Sequence, residues 1–279
     1  ADASKIEDGS ATIAVDNKTS NVSVVVPEEV KTAIDDSKNS QNTLPTTNVI
    51  ANDTVIDNMN KFAGGLGTEA SPYLIENYDQ LSNIKTDNDA YFKLMADIVI
   101  EKDAKVAIGG DKCVVTHFNG TLDGNGYSIT NNYEVSGSCV WFALFDIAGN
   151  VTVKNLTLNY GRTWFNMISN LSGNLTLENI VLKSDSEVLD LTGSGNNYGL
   201  IVSKCLEGMS NKNVVLKNVN SYVNIEGATA AIGIWFGTAN PNNNYLYENT
   251  NNYGNVNAGY ISFFFGNVGN GKFSTPMNK

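Results

Sequence analysis

The sequence predicts an all-β chain whose short strands repeat as the circuits of a solenoid, on three observations. Only 17% of residues are charged and 5 are proline, while Asn, Gly, Ser and Thr are abundant, a balance that favours strands and turns over long helices. Two octapeptides, VTVKNLTL at 151–158 and LTLENIVL at 175–182, each set an Asn between two short alternating strands, and Asn155 and Asn179 lie 24 residues apart. Two further copies, VVLKNVNS at 214–221 and YLYENTNN at 245–252, put Asn218 and Asn249 at the same point. A 24-residue unit is too long for a hairpin partner and fits one circuit of stacked strands.

Residues 1–61 form a separate N-terminal segment, rich in Asn, Asp, Ser and Thr and without a sustained period. Residues 21–26 read as a strand. Pro27 can open a short amphipathic helix with Glu28 and Glu29 in its first turn and Val30, Ala33 and Ile34 on one face, ending near Asp36 or Ser37. A solenoid needs a terminal cap over its last apolar layer, so this helix is a candidate cap, with a small module or linker as the alternative.

The repeating domain is placed at 62–279. FAGGLGTEASPYLIENYDQLSNI opens on a Gly-rich turn, continues in a strand at 73–75, and then enters a one- or two-turn helix capped by Asn77, with Gln80 at the reciprocal position and Leu81 and Ile84 on one side. Phe92, Leu94, Ala96, Ile98 and Ile100 alternate as one long strand. FNGTLDGNGYSITN at 118–131 carries a DGNG turn whose two glycines obscure the in/out register. In the clear rungs Val151, Val153, Leu156 and Leu158 point inward, Thr152 and Thr157 outward, and the chain turns at Lys154 and Asn155. Asn tolerates the left-handed conformation such a corner needs, and its amide can bond to the Asn of the next rung, which predicts an Asn ladder. Asn179 and Asn218 are 39 apart, and the surplus is assigned to an inserted loop at 183–198. Past Tyr253 the pattern frays, and its apolar end implies a continuing chain or a covering partner.

The formal net charge is -11 and Arg162 is the only arginine, which argues against nucleic acid as a partner. No apolar run has the length of a membrane-spanning helix, and no signal peptide is legible. The first residue is Ala1 rather than Met, which fits a processed secreted chain or a trimmed one. Cys113, Cys139 and Cys205 lack zinc-site spacing; Cys113 and Cys139 could pair across rungs, or all could be buried thiols.

The runs FAGGLGTEASPYLI, YFKLMADIVI and FNGTLDGNGYSITN, followed by the corner-Asn rungs, resemble the pectate-lyase-like right-handed parallel β-helix modules of large bacterial surface proteins, including those of IgA-peptidase-type and adhesin-like proteins. The resemblance covers roughly residues 62–265. It implies a right-handed coil, a secreted or cell-surface setting, and in many such modules no reaction.

Polysaccharide lyases and hydrolases share this architecture, so the residues must decide. A lyase needs grouped carboxylates for Ca2+ and a strong base, and a hydrolase needs paired Asp or Glu. The repeats from Val151 onward contain no such pair. Asp185, Glu187 and Asp190 in the insertion are the best carboxylate group for Ca2+ or a cationic partner, with a solvated acidic loop as the alternative; Asp123 in DGNG reads as a turn residue. Trp141, Trp164 and Trp235 with Tyr160, Tyr245 and Tyr247 could offer ring faces to sugars along one side, and Arg162 is the cation to test beside them; packing within strands is the competing role for the rings. His117 has no motif-placed nucleophile, so no catalytic residue is assigned. The expectation is a non-catalytic module that binds a glycan or a host protein, with a polysaccharide lyase or glycoside hydrolase, or a structural spacer, as alternatives.

Overall fold

The structure, a computed structural model, describes residues 22–28, 47–51, 61–108, 112–133, 142–161, 165–190, 198–206, 210–262 and 265–268. The chain divides into two compact units, Ala1–Leu66 and Gly67–Lys279. In the first, the expected strand forms as Val22–Val26 and pairs in parallel with Thr47–Ala51. The expected cap helix falls on residues outside those described. Among the described residues no helix is long and apolar enough to cross a membrane.

The second unit is mostly parallel β-structure. A ten-stranded sheet runs from Tyr73–Ile75 through Tyr91–Leu94, Thr121–Asp123, Val151–Asn159, Leu175–Lys183 and Asn213–Ser221 to Asn244–Glu248, with three shorter strands alongside. A seven-stranded sheet holds Lys112–Phe118, Phe142–Ala148, Asn166–Leu171, Val202–Cys205, Phe236–Ala239 and Phe265–Val268 in parallel, with Ala107–Ile108 antiparallel at its edge. From Lys112 onward the chain passes between these two sheets on each circuit, an arrangement consistent with a parallel β-helix.

Register explains why alternating sequences build this core. Tyr73, Phe92, Leu122, Val153, Leu177, Leu216 and Tyr247 are successive partners across the ten-stranded sheet, so one apolar column threads every rung. A second column joins Ile98, Ile129, Leu158 and Leu182. All of these except Tyr247 are fully buried, and burying one such aliphatic side chain stabilises by about 1.5–3 kcal/mol.

The corners form as the repeat predicts. Asn155, Asn179, Asn218 and Asn249 have φ of 53°, 56°, 53° and 51°, the left-handed region, and the side-chain amide of each of the last three donates to the Oδ1 of the rung before at 2.9, 3.0 and 3.1 Å. Asn155 Nδ2 in turn donates to Asp123 Oδ1 at 3.0 Å, and a carboxylate, which can only accept, ends the series. Asp123 therefore belongs to the corner ladder, with Asn125 N–H on the same oxygen at 2.8 Å and Lys154 Nζ at 3.6 Å from Oδ2. The DGNG glycines do separate jobs. A Cβ on Gly124 would sit 2.7 Å from Leu156 Cα on the next rung, whereas Gly126 adopts φ 86°.

Three expectations change in detail. The single strand at 92–100 is two strands, Tyr91–Leu94 and Ile98–Ile100, because the chain turns its corner between them, where Asp97 Oδ1 accepts from Ser128 N and Oγ at 2.7 and 2.8 Å. The helix Tyr78–Ser82 is capped by Asn77, but Gln80 Oε1 accepts from Glu76 N–H, one residue further back than a capping box requires. The insertion at 183–198 is more than a loop: Leu189–Asp190 and Tyr198–Gly199 pair with Ile225–Gly233 in a four-stranded sheet completed by Val256–Ser262, and Tyr198 is fully buried.

Candidate functional site

The aromatics chosen from sequence divide into two groups. Trp141, Arg162 and Trp164 lie outside the described residues. Tyr160 and Trp235 are 0% exposed, so neither offers a ring face to a ligand, and the Tyr160 hydroxyl donates to the Leu200 carbonyl. Their burial has a common cause. Residues 142–146, 165–169, 198–203 and 232–237 are buried without interruption, so these stretches in and beside the seven-stranded sheet are covered on both faces. Tyr245 and Tyr247 are half-buried and pair with the core residues Val214 and Leu216, which makes them the inward side chains of their rung. Burial raises the pKa of both hydroxyls, and Tyr245 OH donates to Asn240 O at 2.9 Å.

Of the acidic group, the structure describes the side chains of Asp185 and Glu187 and the backbone of Asp190. Asp185 and Glu187 are exposed, Asp185 Oδ1 accepts from Asn159 Nδ2 at 2.7 Å, and Asp190 pairs through its backbone with Glu226. Among the described residues no three or more His, Cys, Asp or Glu side chains gather to hold a metal. Cys205 is a free, buried thiol whose pKa burial pushes up to about 11, Cys113 is buried, and Cys139 lies outside the described residues.

The structure instead brings together a surface that sequence reasoning passed over. The segments NVNSYVNIE at 218–226 and NTNNYGNVN at 249–257 lie on neighbouring rungs at a constant offset of 31. Asn251 Nδ2 donates to Asn220 Oδ1 at 3.0 Å, Asn255 N to Asn224 Oδ1 at 2.8 Å, and Asn257 Nδ2 to Glu226 Oε1 at 2.6 Å. Asn224 Nδ2 is anchored in turn on the Glu187 carbonyl at 2.8 Å. Between these rows Tyr222 and Tyr253 stack, ring centroids 5.0 Å apart and planes 18° from parallel.

The two rings are 53% and 61% exposed, the most open large hydrophobic side chains together with Ile261 among the described residues. Ring contact needs only about 3.5–4.0 Å, so a 5.0 Å centroid separation means that the rings are slid across one another and each keeps part of its face uncovered. The result is an aromatic wall two rungs tall, flanked on both sides by amides fixed by their neighbours. Such a surface can bind by ring contact and hydrogen bonding. The signal that could have found it is the repetition of Asn-x-Tyr-x-Asn at 220–224 and 251–255, masked by a spacing that differs from the 24 of the clearer rungs.

No family model matches the chain. It is 30% identical over 152 residues to a protein of Evansella cellulosilytica named "Putative Gly-rich membrane protein", covering 52% of this chain and 16% of that protein. The chain thus matches about a sixth of that relative's length. A solved structure described as a putative immunoglobulin A1 protease from Bacteroides ovatus aligns over 75% of this chain and 86% of its own, with 14% identity and a TM-score of 0.36.

Proposed function

We propose that the chain is a non-catalytic module of a secreted or cell-surface bacterial protein, folded as a pectate-lyase-like right-handed parallel β-helix, that binds a glycan through the lateral face carrying Tyr222 and Tyr253. The observation that carries the reading is the stacked, exposed pair Tyr222 and Tyr253 between rows of fixed Asn amides. Ring faces meet the CH surfaces of sugars, amides meet their hydroxyls, and side chains held in place lose little entropy on binding. The partial likeness to a protein named as a membrane protein favours a cell-envelope setting.

The test is a glycan array probed with the 279-residue chain beside the Tyr222→Ala/Tyr253→Ala variant. Binding that the variant loses supports the reading. An array blank for both proteins leaves a host protein ligand or a structural spacer. Release of unsaturated or reducing ends from pectin or alginate overturns it in favour of an enzyme.

A further inference from the structure

We infer that this same face selects uncharged polysaccharide chains and turns away polyuronates and sulfated glycans; the inference rests on the glycan-binding reading above and adds the ligand's charge class. Neither 218–226 nor 249–257 contains a Lys or Arg. The one acidic side chain in the strip, Glu226, is exposed and bonded through Oε1 to Asn257, and Glu187 is exposed beside the strip's Asn224 anchor. Lys217, at the strip's edge, lies 3.9 Å from Glu248 on the next rung. Lys183 is exposed one rung below Tyr222, but among the described residues the carboxylates of Glu187, Glu226 and Glu248 outnumber Lys183 and Lys217 around the strip, so an anionic sugar would meet net like charge on a chain of net charge -11.

A neutral sugar finds complementary groups. A primary amide offers two N–H donors and two acceptor lone pairs, and one ladder bond on each side uses about half of them. The remaining donors and acceptors stand in rows on either side of the aromatic wall. Residues 220–226 can extend over at most about 20 Å, room for several sugar units, which points to an oligosaccharide stretch of a polymer rather than to a single sugar.

Affinity gel electrophoresis tests this with the full chain in gels holding a soluble neutral β-glucan, a galactomannan, polygalacturonate or heparin, at low and high salt. The expected result is retardation by a neutral polymer that salt does not change and that falls about tenfold in the Tyr222→Ala/Tyr253→Ala variant. Glu226→Lys, which leaves both rings in place, is expected to acquire retardation by polygalacturonate. Tyrosine-dependent, salt-sensitive retardation of the unaltered chain by polygalacturonate or heparin overturns the charge selection while leaving the glycan reading standing. Retardation by none of the polymers overturns both, and neutral retardation that survives in the double variant overturns the placement on this strip. Continued exclusion of polygalacturonate by Glu226→Lys overturns the role given to that carboxylate.

Discussion

The rungs Val151–Asn159 and Leu175–Lys183 and the later rungs through Asn213–Ser221 and Asn244–Glu248 share one interior and show solvent different exteriors. Inside, Val153, Leu177, Leu216 and Tyr247 continue a single column, and the corner Asn residues a single ladder. Outside, the positions next to the ladder are Thr157 and Val181 in the early pair and Asn220 and Asn251 in the late pair. Where Asn159 and Lys183 pair at the strand ends, the next residues up the stack are Tyr222 and Tyr253. The difference teaches that the inward pattern maintains the coil while the outward pattern is free to vary, and the exterior of the late pair is the one that carries exposed rings between amides.

The sharpest way to break the shared interior is Leu177→Ala. A fully buried Leu in the column leaves a cavity, and the expected loss is about 2–5 kcal/mol in chemical denaturation. A result under about 1 kcal/mol would mean the column collapses locally and does not act as a packed unit.

Next comes the corner. Asn179→Ala removes an amide that donates to Asn155 and accepts from Asn218, and forces Ala into φ 56°, so about 2–4 kcal/mol should be lost. Asn179→Gly keeps the backbone geometry without strain and should lose measurably less. Equal losses for the two variants would show that the ladder bonds, not the left-handed backbone, set the cost.

A smaller effect is expected on acidification. The Ser128 backbone N–H, and then its hydroxyl, hold the Asp97 carboxyl below its ordinary value of 3.8. Because the folded pKa lies below the unfolded one, the contribution is fully present above the ordinary aspartate range and is lost as pH falls through the lowered folded pKa. Asp97→Asn should therefore flatten that part of the stability profile in denaturation series taken at acid pH, and an unchanged profile would remove Asp97 from the account.

The smallest stability change belongs to the exterior. Tyr222→Ala and Tyr253→Ala should each shift the folding free energy by about 1 kcal/mol or less, since both rings are more than half exposed and lose mainly each other, while glycan retention falls. A loss as large as that of Leu177→Ala would recast the pair as a packing element.

Much of the interior was legible because a parallel stack repeats its inward residues and needs a left-handed corner that Asn supplies. Hence Asn155, Asn179, Asn218 and Asn249 could be read directly, and so could the inward set from Val151 to Leu158. The acceptor end of the ladder could not, because the DGNG turn shifts register and the oxygen that meets Asn155 belongs to Asp123. The site was the least legible part. An aromatic residue in a strand satisfies core and surface equally well in one dimension, and Trp235 and Tyr160 proved buried while Tyr222 and Tyr253 proved open.

What the sequence determined by itself is the class of structure: strands of period two, turning at Asn, repeated along the chain. Those are local properties, set by side-chain alternation and backbone sterics, and they need no knowledge of what lies alongside. Only the tertiary structure decided which residues stack on which, because the offset between rungs changes from 24 to 39 to 31 as insertions enter. That offset places Tyr253 over Tyr222 and Asn251 over Asn220, and it buries Trp235 beneath a covered sheet. Exposure and neighbourhood are relations between distant segments, and the packing of the coil supplies them.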